Sequence, residues 1–401
     1  MKNICLTFQV HQPFRLRNFH FFDIGNNYNY FDEETNSKFM RQVAEHCYLP
    51  INKLLLNLIN TFGNNIKVSF AISGTALDQI EKYAPEVLDS FKELAATENV
   101  EFLGQTYATS LSSLKSKSAF HDEVVAHKRR ISILFGKRPT VFLNTGLLYS
   151  EDIGKMISYL GFKGALTEGS SFILNGKSPN YLYNGTSRPS LNLFLRNTSL
   201  SDDIALRFSH RNWSEWPLTA EKYLGWLNAL QTGEELVNLV MDYGTFGEHH
   251  KKDTGIIDFL EYLLRYLAES KNLKLNTPGE VLKTVSSKGK LKVSEPISWV
   301  GTDKNAAAWL DNEMQQEAFD TLYALEDSVK KTKDKFLLTD WERLKSADHF
   351  LYMNNQHEVI GRLFNPYDNP YDAFLKYMNV LSDLQLKVQD KTKKSSKRKN
   401  I

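Results

Sequence analysis

Short apolar runs that alternate with stretches of helical spacing are the feature that most constrains the fold of the first 275 residues. The runs cover 4–10, 67–72, 100–103, 140–143 and 237–241. Each is followed by a small polar cluster, and segments between the runs carry apolar residues every three or four positions. Strands separated by helices predict βαβ units in a parallel sheet or barrel, with functional side chains at the carboxyl ends of the strands.

The last of these runs carries the strongest functional signal. Residues 237–241 are mostly apolar, as a strand buried on both faces requires, and Asp242 stands where that strand would surface. Two glycines and the pair His249 and His250 follow. Asp242 therefore either caps the turn after the strand or takes part in chemistry at the rim of a barrel.

Long helical patterns replace the strands in the last part of the chain. They cover 309–330, 337–353 and 371–388. The expected division is a barrel in 1–275, a helical bundle in 276–390 and a basic, disordered tail in 391–401.

The composition excludes several classes of protein. A formal net charge of +2 over 401 residues gives no field to attract nucleic acid, and no aromatic residue interleaves the lysines and arginines of the tail. Two cysteines are too few for a disulfide framework, and no stretch reaches the length of a membrane span. We therefore expect a cytoplasmic protein without a nucleic-acid or membrane partner.

Five motifs, in order along the chain, resemble those of glycoside hydrolase family 57, in its intracellular, archaeal-type α-amylase branch. They are His11-Gln12-Pro13, Gly104-Gln-Thr-Tyr107, Phe142-Leu-Asn-Thr-Gly146, Met241-Asp-Tyr-Gly-Thr-Phe-Gly-Glu-His249 and Ala308-Trp-Leu-Asp-Asn-Glu-Met-Gln315. The resemblance implies an α/β protein with an incomplete (β/α)7 barrel followed by a C-terminal helical domain. It also implies a retaining action on α-1,4-linked glucans such as starch or glycogen, with no metal or other cofactor.

The resemblance also assigns catalytic positions, and this chain departs from them. Retaining chemistry needs two carboxyl groups about 5 Å apart, one as nucleophile and one as acid. The acid position is Asp242, whereas the nucleophile position is Gly146, which has no side chain. Gly244, Gln105 and Gln9 stand where the family carries further carboxylates. We therefore expect binding of α-glucans or maltooligosaccharides with weak or no hydrolysis, and we expect Gly146→Glu to raise activity.

A set of side chains is expected to bind the sugar. They are His11, Gln105, Tyr107, Trp213, Trp216, His249 and Trp309. Aromatic faces suit sugar rings, although a tryptophan taken singly is more often a core or interface residue. Asp242 is expected to accept a hydrogen bond from a rim group, with His11 as the first candidate, because a buried carboxylate needs partners.

An active enzyme is the first alternative to a binding protein. An α-glucan hydrolase or transferase would need a relocated carboxylate nucleophile, and Glu168, Glu215 and Glu248 are the acids that could supply one. A binding protein, by contrast, is expected to act as a regulator or scaffold in association with glycogen-metabolising enzymes.

A metal-dependent, deacetylase-like barrel is the second alternative. Its ligands would have to come from His11, Asp242, His249 and His250. Adjacent residues of an extended segment point apart, and no His-x-His motif or second acid completes a site. The sequence therefore disfavours a metal centre.

Overall fold

The computed structural model of the chain describes residues 1–356 and 365–399. Ten strands occur in this part of the chain. They are β1 (Lys2–Val10), β2 (Val68–Ile72), β3 (Val100–Phe102), β4 (Val141–Leu143), β5 (Gly164–Glu168), β6 (Leu182–Gly185), β7 (Asn192–Arg196), β8 (Leu236–Asp242), β9 (Leu273–Leu275) and β10 (Lys290–Leu291).

Seven parallel strands close into a barrel in the order β1, β2, β3, β4, β5, β7, β8 and back to β1. Gly104 joins β3 to β4, because its N–H donates to the Val141 carbonyl (2.9 Å) and its carbonyl accepts from the Leu143 N–H (2.8 Å). Arg196 and Asn238 form the pair that joins β7 to β8. The barrel has one strand fewer than a complete (β/α)8 barrel, so the predicted incomplete (β/α)7 barrel is confirmed.

Three further strands extend the sheet outside the barrel. β6 runs antiparallel to β7, β10 runs parallel to β6, and β9 lies beside the first residues of β1. After β10, Tyr149 and Ile297 pair through backbone hydrogen bonds of 3.0 and 2.9 Å. The chain beyond residue 275 therefore still contacts the barrel before it enters its helical part.

Helices surround the barrel and then make up the C-terminal part. Those in the barrel part are Glu33–Val43, Leu49–Phe62, Gly74–Tyr83, Pro85–Ala96, Ser112–Lys115, Lys117–Phe135, Glu151–Tyr159, Ser171–Leu174, Thr198–Asp202, Ala220–Ala229, Ile256–Glu269 and Pro278–Thr284. Those in the C-terminal part are Ala307–Leu310, Glu313–Ala324, Glu326–Thr332, Lys335–Leu344, Ala347–Leu351 and Pro370–Lys399. None of the helices in the described ranges is both long and apolar enough to cross a membrane.

Polar residues at the strand ends cap the turns and helices that follow. The Ser73 side chain, after β2, accepts from the Ala76 N–H, and the Asn197 side chain, after β7, accepts from the Leu200 N–H. Asp242, the last residue of β8, accepts from the Gly244 N–H in the same way. Each side chain satisfies an amide that the helix or turn leaves without a partner. The capping interpretation of Asp242 is therefore correct, and it leaves the second carboxylate oxygen available.

One hydrophobic cluster joins the two parts of the chain. Phe14, Leu16, Phe19, Tyr30 and Phe31, from the loop after β1, are buried together with residues of the C-terminal helices. The barrel part thus supplies apolar side chains to the core of the helical part. Burial of this surface fixes the C-terminal helices over the loop that follows β1.

The apolar residues of 204–208 are a pattern that predicts a strand, but residues 204–207 are helical. The segment Asp203–Arg207 continues the helix Thr198–Asp202. Ile204 and Phe208 are both buried, and a spacing of four residues places two side chains on one face of a helix. Four apolar residues within five positions do not distinguish a strand from a helix, because the two patterns coincide over so short a run.

The C-terminal helical patterns are broken more often than the sequence indicates. Asn312 forms a capping box with Gln315, which starts a new helix inside 309–330. Ser346 has an extended ψ of 129°, which divides 337–353 into two helices. The last helix continues to Lys399, where a disordered tail was expected from 391, and the Lys391 ammonium pairs with Asp334 at 2.6 Å.

Candidate active site

A cavity lies between the carboxyl ends of the barrel strands and the C-terminal helices, with about 950 Å³ of space free of protein atoms, including solvent at its open mouth. Its lining includes Gln9, His11, Arg15, Tyr48, Thr145, Gly146, Asp242, Glu248, His249, Trp299, Val300, Trp309, Asp348 and Tyr352. Five of the residues predicted for the site are thus brought together: His11, Gly146, Asp242, His249 and Trp309. The carboxyl ends of β1, β4 and β8 meet at this point, as the barrel topology requires.

Asp242 is the acidic side chain at the end of β8. It is partly buried, and its Oδ1 accepts from the Gly244 N–H at 2.6 Å. Burial raises the pKa of this carboxyl group above its ordinary value, while His249, the Gly244 amide and His11 oppose that rise. A carboxyl group with a raised pKa at the edge of a cavity is suited to donate a proton to a leaving oxygen.

His11 contacts Asp348 and not Asp242, so the expected His11–Asp242 hydrogen bond is wrong. The His11 Nε2–H donates to Asp348 Oδ2 at 2.8 Å, while Nδ1 lies 2.7 Å from Ser73 Oγ and 3.0 Å from Thr109 Oγ1. Both ring nitrogens are therefore engaged. Asp348, in the C-terminal part of the chain, therefore contacts His11 in place of Asp242, which is nearer to His11 in the sequence.

Asp348 is the site residue that sequence reasoning missed. Burial alone would raise its pKa, but the charge and hydrogen bond of His11 and the Ser346 hydroxyl lower it well below the ordinary range. Ser346 Oγ donates to Asp348 Oδ2 at 2.8 Å. The polar group Ser346, Asp348 and His349 inside an otherwise helical pattern was the signal that could have revealed it.

Gly146 lies in a tight turn after β4, with φ +54° and ψ 26°. Its carbonyl accepts from the Trp299 N–H at 3.0 Å and from Ser298 Oγ at 2.8 Å. A Cβ atom at this position would lie 2.4 Å from Trp309 Cη2 and 3.1 Å from Val300 Cγ2. The indole of Trp309 therefore occupies the space in which a side chain at 146 would begin. This geometry argues against the expectation that Gly146→Glu raises activity.

The three glutamates considered as replacement nucleophiles lie in different places. Glu248 lines the cavity, but its carboxylate contacts Gln42 Nε2 (2.9 Å), His46 Nδ1 (2.8 Å) and Lys251 Nζ (3.2 Å). Glu168 and Glu215 are not among the residues that line the cavity. Glu168 is buried against Thr198 and Arg196, and Glu215 pairs with Lys222.

Four of the predicted sugar-binding residues are not among those lining the cavity. Gln105 is buried, and its backbone N–H donates to His127 Nδ1 at 3.3 Å. The Tyr107 hydroxyl donates to Asp78 at 2.8 Å in another pocket, and Trp213 lines a third. Trp216 is 43% exposed on the same outer segment as Trp213. These four residues were predicted either from a family motif or from their residue type. Neither of these determines the direction in which a side chain points.

The two adjacent histidines point apart, although residues 247–249 form a turn and not the extended segment on which that expectation rested. His249 is exposed at the cavity, whereas His250 is buried with its ring nitrogens 2.6 Å from Ser209 Oγ and 3.1 Å from the Ala205 carbonyl. In the part of the chain that the structure describes, no group of three or more His, Cys, Asp or Glu residues could hold a metal ion.

Comparison with known proteins shows which family this chain resembles. The family model for "Glycosyl hydrolase family 57" matches residues 5–294, which is well over half of the chain. The chain belongs to glycosyl hydrolase family 57. The matched range contains Asp242 and Gly146 and ends before Trp309 and Asp348. A relative from Methanocaldococcus jannaschii, described as "Putative alpha-amylase", is 36% identical over 99% of this chain and 87% of its own length.

Solved structures share the fold. The "GH57-type branching enzyme" from Pyrococcus horikoshii has a TM-score of 0.71 at 12% identity, covering 95% of this chain and 88% of its own. The "alpha-amylase AmyC" from Thermotoga maritima has a TM-score of 0.65 at 11% identity, covering 96% and 93%. The "4-alpha-glucanotransferase" from Thermococcus litoralis has a TM-score of 0.60 at 15% identity, and this chain spans 50% of its length. At these identities the likeness supports the barrel followed by helices.

Proposed function

We propose that this family 57 protein binds α-1,4-linked glucans in the cavity beside Asp242 and hydrolyses them weakly or not at all. One observation carries the proposal: the edge of the Trp309 ring lies where a side chain at position 146 would start, so the usual nucleophile position holds an indole in place of a carboxylate. Covalent catalysis at that position needs a carboxyl group, whereas the polar groups in the rest of the cavity lining can still contact a sugar.

The polar lining supports the same conclusion. Asp242 and Asp348 offer carboxylate oxygens, and His249 offers a ring nitrogen, at the walls of a cavity that also presents Trp299 and Tyr352. Aromatic faces with a few placed polar groups are the usual composition of a small-molecule site. His11 then acts as a positioning residue, because it holds Asp348 at the cavity wall.

Calorimetry with maltoheptaose tests the binding. We expect wild-type protein to bind it and Asp242→Asn to weaken binding about tenfold, because one charged acceptor becomes a neutral amide. Asp253→Asn, on an exposed residue of a neighbouring loop, is the control and should bind like wild type. No heat from the wild-type protein at millimolar sugar would overturn the proposal, as would hydrolysis at an ordinary enzymatic rate of about 10 per second.

An active hydrolase or transferase is the second candidate, and Asp348 is the observation in its favour. Its carboxylate lines the same cavity as Asp242, and the two acids have pKa values shifted in opposite directions. Such a divergence is typical of a proton donor paired with an ionised partner. Under this candidate, Asp348→Asn abolishes all cleavage, while Glu248→Gln does not. The anomeric form of the product would separate retention from inversion.

The cellular setting is part of the proposal. Both cysteines, Cys5 and Cys47, are buried free thiols, which suits the reducing cytoplasm. Association with glycogen-metabolising enzymes follows from a glucan-binding role without strong hydrolysis. Co-purification of such enzymes with the tagged protein, lost in Asp242→Asn, would support that association.

A further inference from the structure

An open depression lies on the outer segment that follows β7, and it shares no lining residue with the central cavity. It is lined by Leu200, Asp203, Arg207, Trp213, Glu215 and Trp226, with about 780 Å³ of space free of protein atoms. This is where the structure places Trp213, one of the predicted sugar-binding residues.

Two tryptophans form adjacent walls of the depression. The rings of Trp213 and Trp226 have centroids 6.2 Å apart and planes at 72°, and both side chains are partly exposed. Each ring also has a cation beside it, since the Arg207 guanidinium lies 5.6 Å from the Trp213 centroid and the Lys222 ammonium 5.8 Å from that of Trp226. The walls thus combine apolar faces with nitrogen donors.

The charges around these walls balance. Arg207 is paired with Asp203, with an Nε–Oδ1 distance of 2.7 Å, and Lys222 is paired with Glu215 at 2.8 Å. Two carboxylates and two cations leave no net charge, so an ionic ligand gains little there. Neutral hydroxyl groups, in contrast, can accept from the cations and donate to the carboxylates, while the apolar face of a sugar ring stacks on an indole.

The depression lies at the same end of the barrel as the central cavity. Its segment begins at the carboxyl end of β7, and Ser209 Oγ contacts His250 Nδ1 at 2.6 Å in the loop after β8. The neighbouring His249 lines the central cavity. A long polysaccharide could therefore engage both places, which would raise its affinity above that of a short oligosaccharide through effective concentration.

We propose that the Trp213–Trp226 depression is an accessory binding site for polymeric α-glucan. This proposal rests on the proposed function, because it assigns the same class of ligand to a second place on the surface. In this proposal the depression binds the polymer, and the central cavity binds short oligosaccharides.

Co-sedimentation with glycogen, measured beside calorimetry with maltoheptaose, tests the proposal. Trp213→Ala is expected to weaken glycogen binding about tenfold and to change maltoheptaose affinity less than twofold, because it removes one stacking face remote from the cavity. Trp213→Phe should restore most of the glycogen binding. Phe336→Ala removes another surface aromatic, 83% exposed and outside both sites, and should match wild type.

A second variant is needed because Trp213 also packs against the barrel core, so that Trp213→Ala could weaken glycogen binding through misfolding. Glu215→Ala changes a side chain that is 44% exposed, so it leaves the fold intact, and it should weaken glycogen binding about threefold through loss of one hydroxyl acceptor. Unchanged glycogen binding in both Trp213→Ala and Glu215→Ala would overturn the accessory site.

The outcomes also distinguish a failure of the accessory site from a failure of the proposed glucan binding in the central cavity. Loss of glycogen binding in Trp213→Ala, with maltoheptaose binding intact, supports the accessory site. Maltoheptaose binding that is insensitive to Asp242→Asn, together with glycogen binding that depends on Trp213, would refute the central assignment alone. Wild-type protein that binds neither sugar would refute both.

Discussion

At the scale of single residues, the turn after β4 limits which side chain position 146 can carry. Gly146 adopts a positive φ of +54° and lies against the edge of the indole of Trp309, a residue that is 3% exposed. Position 146 is therefore restricted twice, by its backbone conformation and by the lack of space. Across the cavity, Asp242 and Asp348 are both acidic but differ in environment, since one is mainly desolvated and the other is held by His11.

We predict that Gly146→Ala destabilises the protein more than Gly136→Ala does. Both glycines have a positive φ, +54° and +66°, but a Cβ at 136 meets no atom within 4 Å. The comparison isolates the collision with Trp309, which should add about 1–3 kcal/mol to the loss in unfolding free energy. Urea unfolding measures both variants. Equal losses would mean that Trp309 moves aside easily, and Gly146→Glu would then again be a reasonable route to activity.

We predict that Asp242→Asn stabilises the fold increasingly as the pH rises from 4.5 to 7.5. The folded-state pKa of Asp242 is raised, so the folded protein binds this proton more tightly than the unfolded chain does. Its contribution therefore favours folding at low pH and becomes unfavourable as the pH rises above the ordinary Asp value of about 4. Asparagine can still cap the Gly244 N–H. A stability difference that does not vary with pH, measured by urea unfolding, would contradict the shift.

At the scale of elements, the helix Lys117–Phe135 is tied to the C-terminal helices by a buried ion pair. The Lys345 ammonium lies 3.0 Å from Glu123 and 2.6 Å from Glu342, and it stacks 4.3 Å from the Trp341 ring. Glu123 also accepts from Ser110 Oγ at 2.7 Å, next to the loop that approaches the cavity. This pair fixes the end of the helix Lys335–Leu344, directly before the break that presents Asp348.

We predict that Lys345→Ala costs about 3–5 kcal/mol of unfolding free energy, because it leaves a buried carboxylate without its partner. Lys92→Ala is the control, since that lysine forms an exposed pair with Asp89 and should cost less than about 1 kcal/mol. Adding Glu123→Gln to Lys345→Ala should recover part of the loss. Similar small effects of the Lys345 and Lys92 changes would show that the buried pair contributes nothing.

At the scale of the whole molecule, the barrel and the helical part share one core cluster and one cavity. The loop after β1 contributes Phe14, Phe19 and Tyr30 to the helical cluster, and the Tyr30 hydroxyl donates to Asp383 of the last helix at 2.6 Å. The cavity in turn needs Asp242 from the barrel and Asp348 from the helices. The division of the chain at residue 275, a prediction from the pattern change, therefore does not imply two independent folding units.

We predict that the intact chain unfolds in one cooperative transition and that a fragment of residues 1–300 does not fold stably. Removal of the C-terminal helices would expose the aromatic residues of the loop after β1 to water. Truncation after residue 390 is the control and should change Tm by less than about 3 °C, since the ion pair of Lys391 with Asp334 that it removes involves a lysine that is 54% exposed. A sharp thermal transition in the 1–300 fragment would show that the barrel folds alone.

The sequence by itself determined the parts of the fold that depend on local pattern. Alternating apolar runs and helical spacing predicted a parallel sheet or barrel, because burial on both faces of a strand and the 3.6-residue period of a helix each produce a recognisable residue pattern. The resemblance to the family narrowed that prediction to an incomplete barrel. The position of Asp242 at a strand end, and the absence of a carboxylate at Gly146, also follow from the sequence and its resemblance. Only the tertiary structure decided which side chains meet. His11 contacts Asp348 from 337 positions away and Trp309 covers Gly146, because these contacts depend on how the helical part packs over the barrel.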